Sequence, residues 1–142
     1  MIALLDVNVL IALFDASHVH HETAHDWMGH NRARGWATCP VTQNGCIRVL
    51  SQLQRGARAQ VTEIVRRLHA AVSVPEHTFW HDSISLCDAS LFESSRILTP
   101  KNLTDIYLLA LAGVNGGRLV TFDRAIPLSA VTGATETRIV VL

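Results

Sequence analysis

The sequence predicts an α/β fold: a three-layer α/β/α sandwich around a central, mostly parallel sheet. Short apolar runs that lead directly into turn or helix signals are typical of buried parallel strands. These runs alternate with helical patterns along the chain, as a parallel α/β arrangement requires. Hydrophobic residues make up 49% of the 142 residues, which favours a compact core over disorder. We therefore expect one domain that spans residues 1–142.

The first half of the chain predicts two strands and three helices. Ile2 to Leu5 is a continuous apolar run and is interpreted as the first strand. Helical patterns follow at residues 8–14 and 18–30. Trp36 to Cys39 is a short strand candidate that Pro40 closes, and Thr42 is placed to cap a third helix. The apolar residues of that helix are Ile47, Val49, Leu50 and Leu53.

The clearest amphipathic helix runs from Ala57 to Val72. Its apolar face consists of Ala57, Val61, Ile64, Val65, Leu68 and Val72. The run from Val74 to Trp80 that follows is ambiguous, and a strand broken by Pro75 is one interpretation.

The last third predicts helices and then strands. Ser83 to Arg96 is interpreted as one helix or two short ones, and Leu103 to Gly113 as a helix that Gly113 stops. The pair Gly116–Gly117 turns the chain into a strand that ends at Asp123. Residues 139–142 supply a last strand.

The composition argues against a membrane or secreted protein. No apolar run approaches the ~20 residues that a membrane span needs. The N-terminus lacks a basic region and Asp6 interrupts its apolar run, so we expect no signal peptide. Cys39, Cys46 and Cys87 are spaced neither as a zinc site nor as a redox pair, and are interpreted as small core residues. The expected location is a reducing cytoplasm.

Basic residues concentrate between positions 32 and 67, although the net charge is zero. Seven of the twelve lysines and arginines lie in this stretch, where Glu63 is the single acid. They are Arg32, Arg34, Arg48, Arg55, Arg58, Arg66 and Arg67. Each one fits a solvated helix face, and as a group they suit a phosphate backbone. Both interpretations stay open from the sequence.

Three aspartates are expected at one edge of the predicted sheet. Asp6 and Asp123 each follow an apolar strand directly, and Asp105 opens an apolar helix. Strand ends and helix starts share the edge at which α/β proteins form their sites. Taken singly, Asp105 would be an ordinary acid in the first turn of a helix, favoured by the helix dipole, and Asp123 would be a turn residue. Asp6 is harder to explain in this way, because an acid beside a buried strand is unfavourable unless it has a function. Together they predict a Mg²⁺ or Mn²⁺ site and phosphate chemistry.

Several segments resemble the conserved blocks of PIN-domain nucleases and, more narrowly, of VapC toxins from bacterial toxin–antitoxin pairs. The blocks are Leu4–Leu10, Ala37–Gly45, Arg48–Ser51, Thr104–Ala112 and Leu119–Arg124, so the resemblance spans nearly the whole chain. It implies a PIN-like fold, a Mg²⁺- or Mn²⁺-dependent ribonuclease and a homodimer. It also implies a cognate VapB-type antitoxin that binds both the toxin and promoter DNA, so that the toxin reaches the DNA only through the antitoxin.

The resemblance also assigns the site. Asp6 and Asp105 would hold the principal metal ion, and Asp123 would bind it directly or through water. With Gln43 they make up the implied catalytic set. Hydrolysis by a metal-activated water would leave 5′-phosphate and 3′-hydroxyl ends.

Gln43 departs from the family pattern, which usually has a glutamate at this position. Glutamine keeps the size and a carbonyl acceptor but loses the negative charge, so it is a weaker ligand for a hard cation. Either three carboxylates suffice, or Gln43 dampens the activity. Asn8, Thr42 and Thr121 are expected to donate hydrogen bonds that orient the carboxylates or the phosphate.

Two other functions compete with the nuclease. His21-Glu22-Thr23-Ala24-His25 matches the H-E-x-x-H signature of zinc metalloproteases, in which two histidines one turn apart bind zinc. A third ligand is needed, and Glu63 is the only acid between Asp26 and Glu76. The second alternative is a PIN-like module that binds RNA or antitoxin without cutting. Transfer RNA and ribosomal RNA loops are both compatible substrates of the nuclease.

Overall fold

Five strands form the central sheet of the computed structural model, which describes residues 1–53 and 61–142. They are β1 (Ala3–Leu5), β2 (Trp36–Thr38), β3 (His77–Phe79), β4 (Arg118–Thr121) and β5 (Ile139–Val141). The order across the sheet is β3-β2-β1-β4-β5, and every neighbouring pair is parallel. Leu4 on the central strand lies opposite Ala37 on one side and Leu119 on the other. The predicted strands are confirmed, and the segment from Val74 to Trp80 that the sequence left ambiguous contains β3, after Pro75.

Within the described ranges, five α-helices cover the two faces of the sheet. They are α1 (Val7–Phe14), α2 (His21–Asn31), α3 (Pro40–Gln52), α4 (Val61–Val72) and α5 (Leu103–Val114). Alternate residues of β1 point to opposite faces, so Leu5 packs into a core with helices α1 to α4, whereas Leu4 packs into a core with α5. The predicted three-layer α/β/α sandwich is therefore confirmed.

The start of α3 differs from the prediction. The helix begins at Pro40, and Cys39 rather than Thr42 is its N-cap residue. Proline suits the first helical position because its fixed φ fits the helix and its missing N–H is not needed there. Thr42 lies one turn inside the helix, where its hydroxyl oxygen accepts a hydrogen bond from the Cys39 N–H at 3.0 Å. The prediction of Thr42 as the cap was wrong by one turn.

The predicted stop at Gly113 was also wrong, because α5 continues through it to Val114. The chain reverses three residues later at Gly116, whose φ of +69° lies in the left-handed region. Glycine adopts that conformation without steric cost. The helix therefore ends where the backbone needs glycine, and not at the first glycine it meets.

The segment from Ser83 to Arg96 forms no α-helix, contrary to the prediction. It consists of turns, a 3-10 turn at Ser94–Arg96 and an isolated bridge between Phe92 and Val131. Asp88 accepts hydrogen bonds from both the backbone N–H and the hydroxyl of Ser90. Such short polar side chains satisfy the local backbone outside a helix and so compete with helix formation.

Three smaller predictions need correction. On α4, Ile64 and Leu68 are buried, but Val61 and Val65 are exposed, and Ala57 lies outside the described residues. The second helix begins at His21, because residues 18–20 form a turn. Cys87 is exposed, whereas Cys39 and Cys46 are core residues as predicted. No helix in the described ranges has the length and apolar character to cross a membrane.

Candidate active site

Asp6 lies at the carboxyl edge of the central strand and is almost fully buried, with 3% of its surface exposed. It caps α1, because one carboxylate oxygen accepts a hydrogen bond from the Val7 N–H at 2.6 Å. The other oxygen accepts one from the hydroxyl of Thr121 at 2.7 Å. A buried carboxylate is thus held by two donors, which fixes its orientation at the start of the helix.

Thr121, at the end of the neighbouring strand β4, connects the residues on both sides of the site. While it donates to Asp6, its hydroxyl oxygen accepts from the Asn8 side-chain amide at 3.2 Å and from the Asp123 N–H at 3.0 Å. One donor and two acceptor positions are all that a hydroxyl has, so Thr121 is fully satisfied. Thr121 donates to a site carboxylate, as its predicted orienting role requires, whereas Asn8 reaches Asp6 only through the Thr121 hydroxyl. Thr42 makes neither kind of contact, because both of its bonds go to the backbone of Cys39.

The three aspartates meet, as the edge rule predicts. Burial raises the pKa of Asp105 to about 7, and the negative charges of Asp6 and Asp123 add to the effect, together with a hydrogen bond to the Asp123 carboxyl. Burial likewise raises the pKa of Asp6, against the hydrogen bonds from Thr121 and Val7, and the charge of Asp123 raises it further. The crevice therefore carries more negative charge than it can hold ionised without a cation.

The donor set fits a hard, hydrated cation. Among the described residues, no group of three or more histidine, cysteine, aspartate or glutamate side chains is placed so that it could hold a metal ion by itself. Mg²⁺ does not need one, since it keeps several waters and is bound by one or two carboxylates plus substrate phosphate. The carboxyl groups that resist ionisation would lose their protons as a cation enters.

Gln43 lies in the first two turns of α3 and faces β2. Its amide nitrogen donates to the hydroxyl of Thr38 at 2.9 Å, and that hydroxyl lies 2.8 Å from Nε2 of His77 on β3. Within the described part of the chain, the amide of Gln43 thus bonds to Thr38 and not to the aspartates. Gly45 allows α3 to approach α1 closely, because a Cβ there would lie 2.8 Å from a methyl group of Val7.

The sequence reasoning missed four residues around this edge. Thr38 and His77 hold Gln43 through hydrogen bonds. Asp82 accepts a hydrogen bond from the hydroxyl of Tyr107. Burial raises the pKa of Tyr107, and the hydrogen bond and the charge of Asp82 raise it further. Thr38 ends a buried strand just as Asp6 and Thr121 follow or end theirs, so the same edge rule would have found it. His77 and Asp82 lie around a strand that the sequence left ambiguous.

The H-E-x-x-H histidines are structural in this fold. Nδ1 of His21 donates to the Ala12 carbonyl at 2.7 Å, and Nε2 of His25 donates to the Leu13 carbonyl at 3.0 Å. Arg67 completes the set by donating to the next carbonyl, at 2.9 Å. The last carbonyls of a helix have no partner within it, and cationic or N–H donors there are favourable. The three side chains cap the carboxyl end of α1.

Three arginines of the basic stretch form ion pairs or hydrogen bonds within the protein. Arg66 forms a two-pronged ion pair with Glu63, and Arg32 lies 3.5 Å from Glu76. Arg67 caps α1, as described above. Arg55 and Arg58 lie outside the described residues. Arg32, Arg66 and Arg67 thus form separate local contacts instead of a continuous track, which favours the solvated-face interpretation for these three arginines.

Comparison with known proteins identifies the family. A family model described as the PIN domain matches residues 3–131. The chain belongs to the PIN-domain family. Within it, the chain belongs with the VapC proteins, since it is 46% identical to ribonuclease VapC44 of Mycobacterium tuberculosis over 142 residues, which is the whole of both chains.

Two solved PIN-domain structures agree with this fold. VapC20 of Mycobacterium tuberculosis, described as a toxin that cleaves the sarcin–ricin loop, aligns with 96% of this chain and 98% of its own, with a TM-score of 0.64 at 15% identity. VapBC2 of Rickettsia felis, bound to a DNA fragment from its promoter, aligns with 89% of this chain and 94% of its own, with a TM-score of 0.59 at 12% identity. At these identities the likeness concerns the fold alone.

Proposed function

We propose that this PIN-domain protein is a metal-dependent endoribonuclease, the toxin of a VapBC-type toxin–antitoxin pair. The observation that carries the proposal is the meeting of Asp6, Asp105 and Asp123 at the carboxyl edge of the sheet. Full-length relatedness to a protein named as a ribonuclease supports the same reaction class. The chemistry is hydrolysis of RNA phosphodiester bonds.

The residues of the chain divide the work of binding and orientation. Asp6 and Asp105 would hold the principal cation, and Asp123 would bind it directly or through water. A bound Mg²⁺ or Mn²⁺ supplies charge compensation at the scissile phosphate and a water of lowered pKa. Thr121 keeps Asp6 aimed, and through the Asp123 N–H it fixes the backbone that carries the third carboxylate.

The partners follow from the family. The VapBC2 structure contains a toxin–antitoxin pair on promoter DNA. We infer that this chain binds a VapB-type antitoxin, that it contacts promoter DNA only through that antitoxin, and that it forms a homodimer. The antitoxin would block the crevice by bringing a basic side chain to the acidic cluster.

Substitution of the aspartates tests the proposal. Asp6→Asn and Asp105→Asn should each lower Mg²⁺-dependent cleavage of an unstructured RNA by more than about 100-fold. Loss of a residue that supports a metal ligand already lowers activity about 10- to 100-fold, and loss of the ligand itself should lower it further. Asp26→Asn, on the exposed surface of α2, is the matched control and should cut normally. Undiminished cleavage by both site variants, in preparations free of host nucleases, would refute the site.

The same assay decides between the nuclease and the non-catalytic alternative, which the missing charge at Gln43 favours. A protein that binds the RNA tightly but leaves it intact across a Mg²⁺ and Mn²⁺ titration would be a binding module. Cleavage that depends on Asp6 excludes that reading.

A further inference from the structure

A chain of hydrogen bonds leads from Gln43 away from the aspartates to the edge strand. The Gln43 amide nitrogen lies 2.9 Å from the Thr38 hydroxyl, and the hydroxyl lies 2.8 Å from Nε2 of His77. Thr38 is fully buried, and the imidazole packs edge-on against Trp36 at 4.5 Å. The three polar groups therefore depend on one another for their hydrogen bonds.

The protonation of His77 sets the direction of this chain. Burial lowers the pKa of His77 below its ordinary 6.5, so the ring is neutral at pH 7 and carries one N–H. A hydrogen bond from the ring to the backbone of Val72 raises the pKa of His77 and partly offsets the effect of burial. Since Nε2 faces Thr38, the donating nitrogen is Nδ1, and Nε2 must accept from the Thr38 hydroxyl. The hydroxyl oxygen can then only accept from Gln43.

We infer that His77, acting through Thr38, is a positioning residue that orients the side-chain amide of Gln43. It holds the amide nitrogen against β2 and leaves the carbonyl oxygen as the free end. A carbonyl oxygen is a neutral ligand for a hard cation or an acceptor for water, whereas an NH₂ group would repel a cation. This relay of hydrogen bonds, His77–Thr38–Gln43, thus keeps an oxygen facing outward at position 43, where the family usually has a carboxylate. The orientation of the amide is independent of the proposed nuclease activity, whereas the effect of that orientation on catalysis rests on it.

A glutamate at position 43 would have to reverse the relay. A carboxylate only accepts, so the Thr38 hydroxyl would donate to it and would need a hydrogen bond from Nε2 of His77. With Nδ1 already donating to Val72, the imidazole would carry both protons and a positive charge. Gln43→Met provides the contrast, because it removes the donor without adding an acceptor.

Long-range ¹H–¹⁵N NMR of the histidine rings tests the inference without any RNA. The wild-type protein should show His77 as the neutral Nδ1–H form. Gln43→Glu should raise the midpoint of His77 titration by about one unit or more, the size expected when a hydrogen bond comes to favour the charged form. Gln43→Met should leave His77 neutral, and exposed His30, bonded to the Asp26 carbonyl, serves as the reference in every spectrum. An Nε2–H form in the wild type, or no shift in Gln43→Glu, would overturn the inference.

A separate observation concerns a pair of stacked rings beside Asp123. The rings of His20 and Phe122 lie 4.5 Å apart between centroids, with their planes inclined by only 19°. Phe122 directly precedes Asp123, and its N–H donates to the side-chain oxygen of Asn8 at 3.3 Å. His20 stays exposed even though Phe122 covers part of it. An exposed ring is therefore anchored to the backbone that carries a site carboxylate.

We propose that the His20–Phe122 pair is a stacking platform for an unpaired base next to the scissile phosphate. Without its cation the acidic crevice repels the RNA backbone, so contacts beyond the crevice have to supply affinity for the metal-free protein. Proteins that recognise single-stranded RNA gain that affinity by stacking bases on aromatic and histidine rings. This inference rests on the proposed RNA substrate.

Binding in an Asp6→Asn background tests the platform separately from cleavage. Fluorescence anisotropy with an unstructured RNA should show roughly 5- to 100-fold weaker binding when His20→Ala is added, the range of one lost base stack. His20→Phe should retain affinity, and His30→Ala should have no effect. An RNA with one abasic position at the platform should bind the His20→Ala form no worse than the intact RNA does. Equal binding with and without His20→Ala would refute the platform, whereas absent cleavage by the wild type would refute only the enzyme.

Discussion

At the scale of single residues, Thr121 is the side chain that connects Asp6, Asn8 and Asp123 by hydrogen bonds. It is fully buried and holds Asp6, Asn8 and the backbone of Asp123 with one hydroxyl. Thr121→Val keeps the shape but leaves the buried Asp6 carboxylate without its side-chain donor. Leaving a buried polar group unpaired costs about 1–3 kcal/mol.

We therefore expect Thr121→Val to lower the free energy of unfolding by about 1–3 kcal/mol. It should also lower RNA cleavage about 10- to 100-fold, as lost support of a metal ligand usually does. Denaturant unfolding and a cleavage assay measure the two effects. Thr78→Val, on the exposed edge strand, should change neither. If Thr121→Val behaved like Thr78→Val, the hydroxyl would have no role in holding Asp6.

Asp105 gives a prediction for pH dependence. Its pKa in the fold is about 7, raised from 3.8, so the folded protein favours the protonated carboxyl. Stability from this group is fully present below pH 3.8 and is lost as the pH rises through about 7. Asp6, whose pKa is also raised, acts in the same direction.

Thermal unfolding of the metal-free protein at about pH 5 and about pH 8 measures this effect. Asp105→Asn should gain stability relative to wild type at the higher pH, because it cannot ionise. Divalent cation should stabilise the wild type most at that same pH. An equal wild-type-to-variant difference at both pH values would contradict the assignment.

At the scale of elements, the carboxyl end of α1 is held by side chains from two other helices. His21 and His25 supply two of these bonds. Replacing both by glutamine should cost about 1 kcal/mol of stability, the net value of such hydrogen bonds at a partly exposed site. RNA cleavage should persist, and no peptide hydrolysis should occur. Stoichiometric zinc on these histidines, with peptide hydrolysis that the double variant loses, would instead favour the metalloprotease.

The contact between α1 and α3 positions both Asp6 and Gln43. Gly45→Ala would place a methyl group 2.8 Å from the Val7 side chain, so α3 would have to shift. We expect a stability loss of about 1–3 kcal/mol, typical of overpacking. Gly29→Ala in α2 is the matched control, because no atom beyond its own helix backbone and chain neighbours lies within 4 Å of its Cβ position, and it should stabilise by about 0.5–1 kcal/mol. Melting temperatures that move in the same direction would contradict this picture.

At the scale of the whole molecule, several large apolar side chains of the described residues are exposed to solvent. Leu98 is 90% exposed and Val114 is 53% exposed. Apolar side chains of this size favour association where they lie together in one patch. We expect light scattering to report a dimer at micromolar concentration and the cognate antitoxin to suppress cleavage. A monomer throughout that concentration range would contradict the dimer.

The fold class and the common edge of the three aspartates follow from local patterns in the sequence. Continuous apolar strands and periodic helices specify which segments are buried, since burial of apolar surface depends on local pattern. Asp6, Asp105 and Asp123 follow from the same pattern, because chain direction alone brings parallel strand ends and helix starts to one edge. The departure at Gln43 was also visible in the sequence.

The tertiary structure decided which polar groups meet. Thr38 and His77 are far apart in sequence and become partners only because β2 and β3 pair in one register. The H-E-x-x-H histidines match a metal motif locally, yet the carbonyls they bind belong to another helix. Gly113 continues a helix because the turn falls at Gly116. Hydrogen-bond partners and pKa values depend on neighbours brought together by folding, and these are the properties that a linear pattern does not contain.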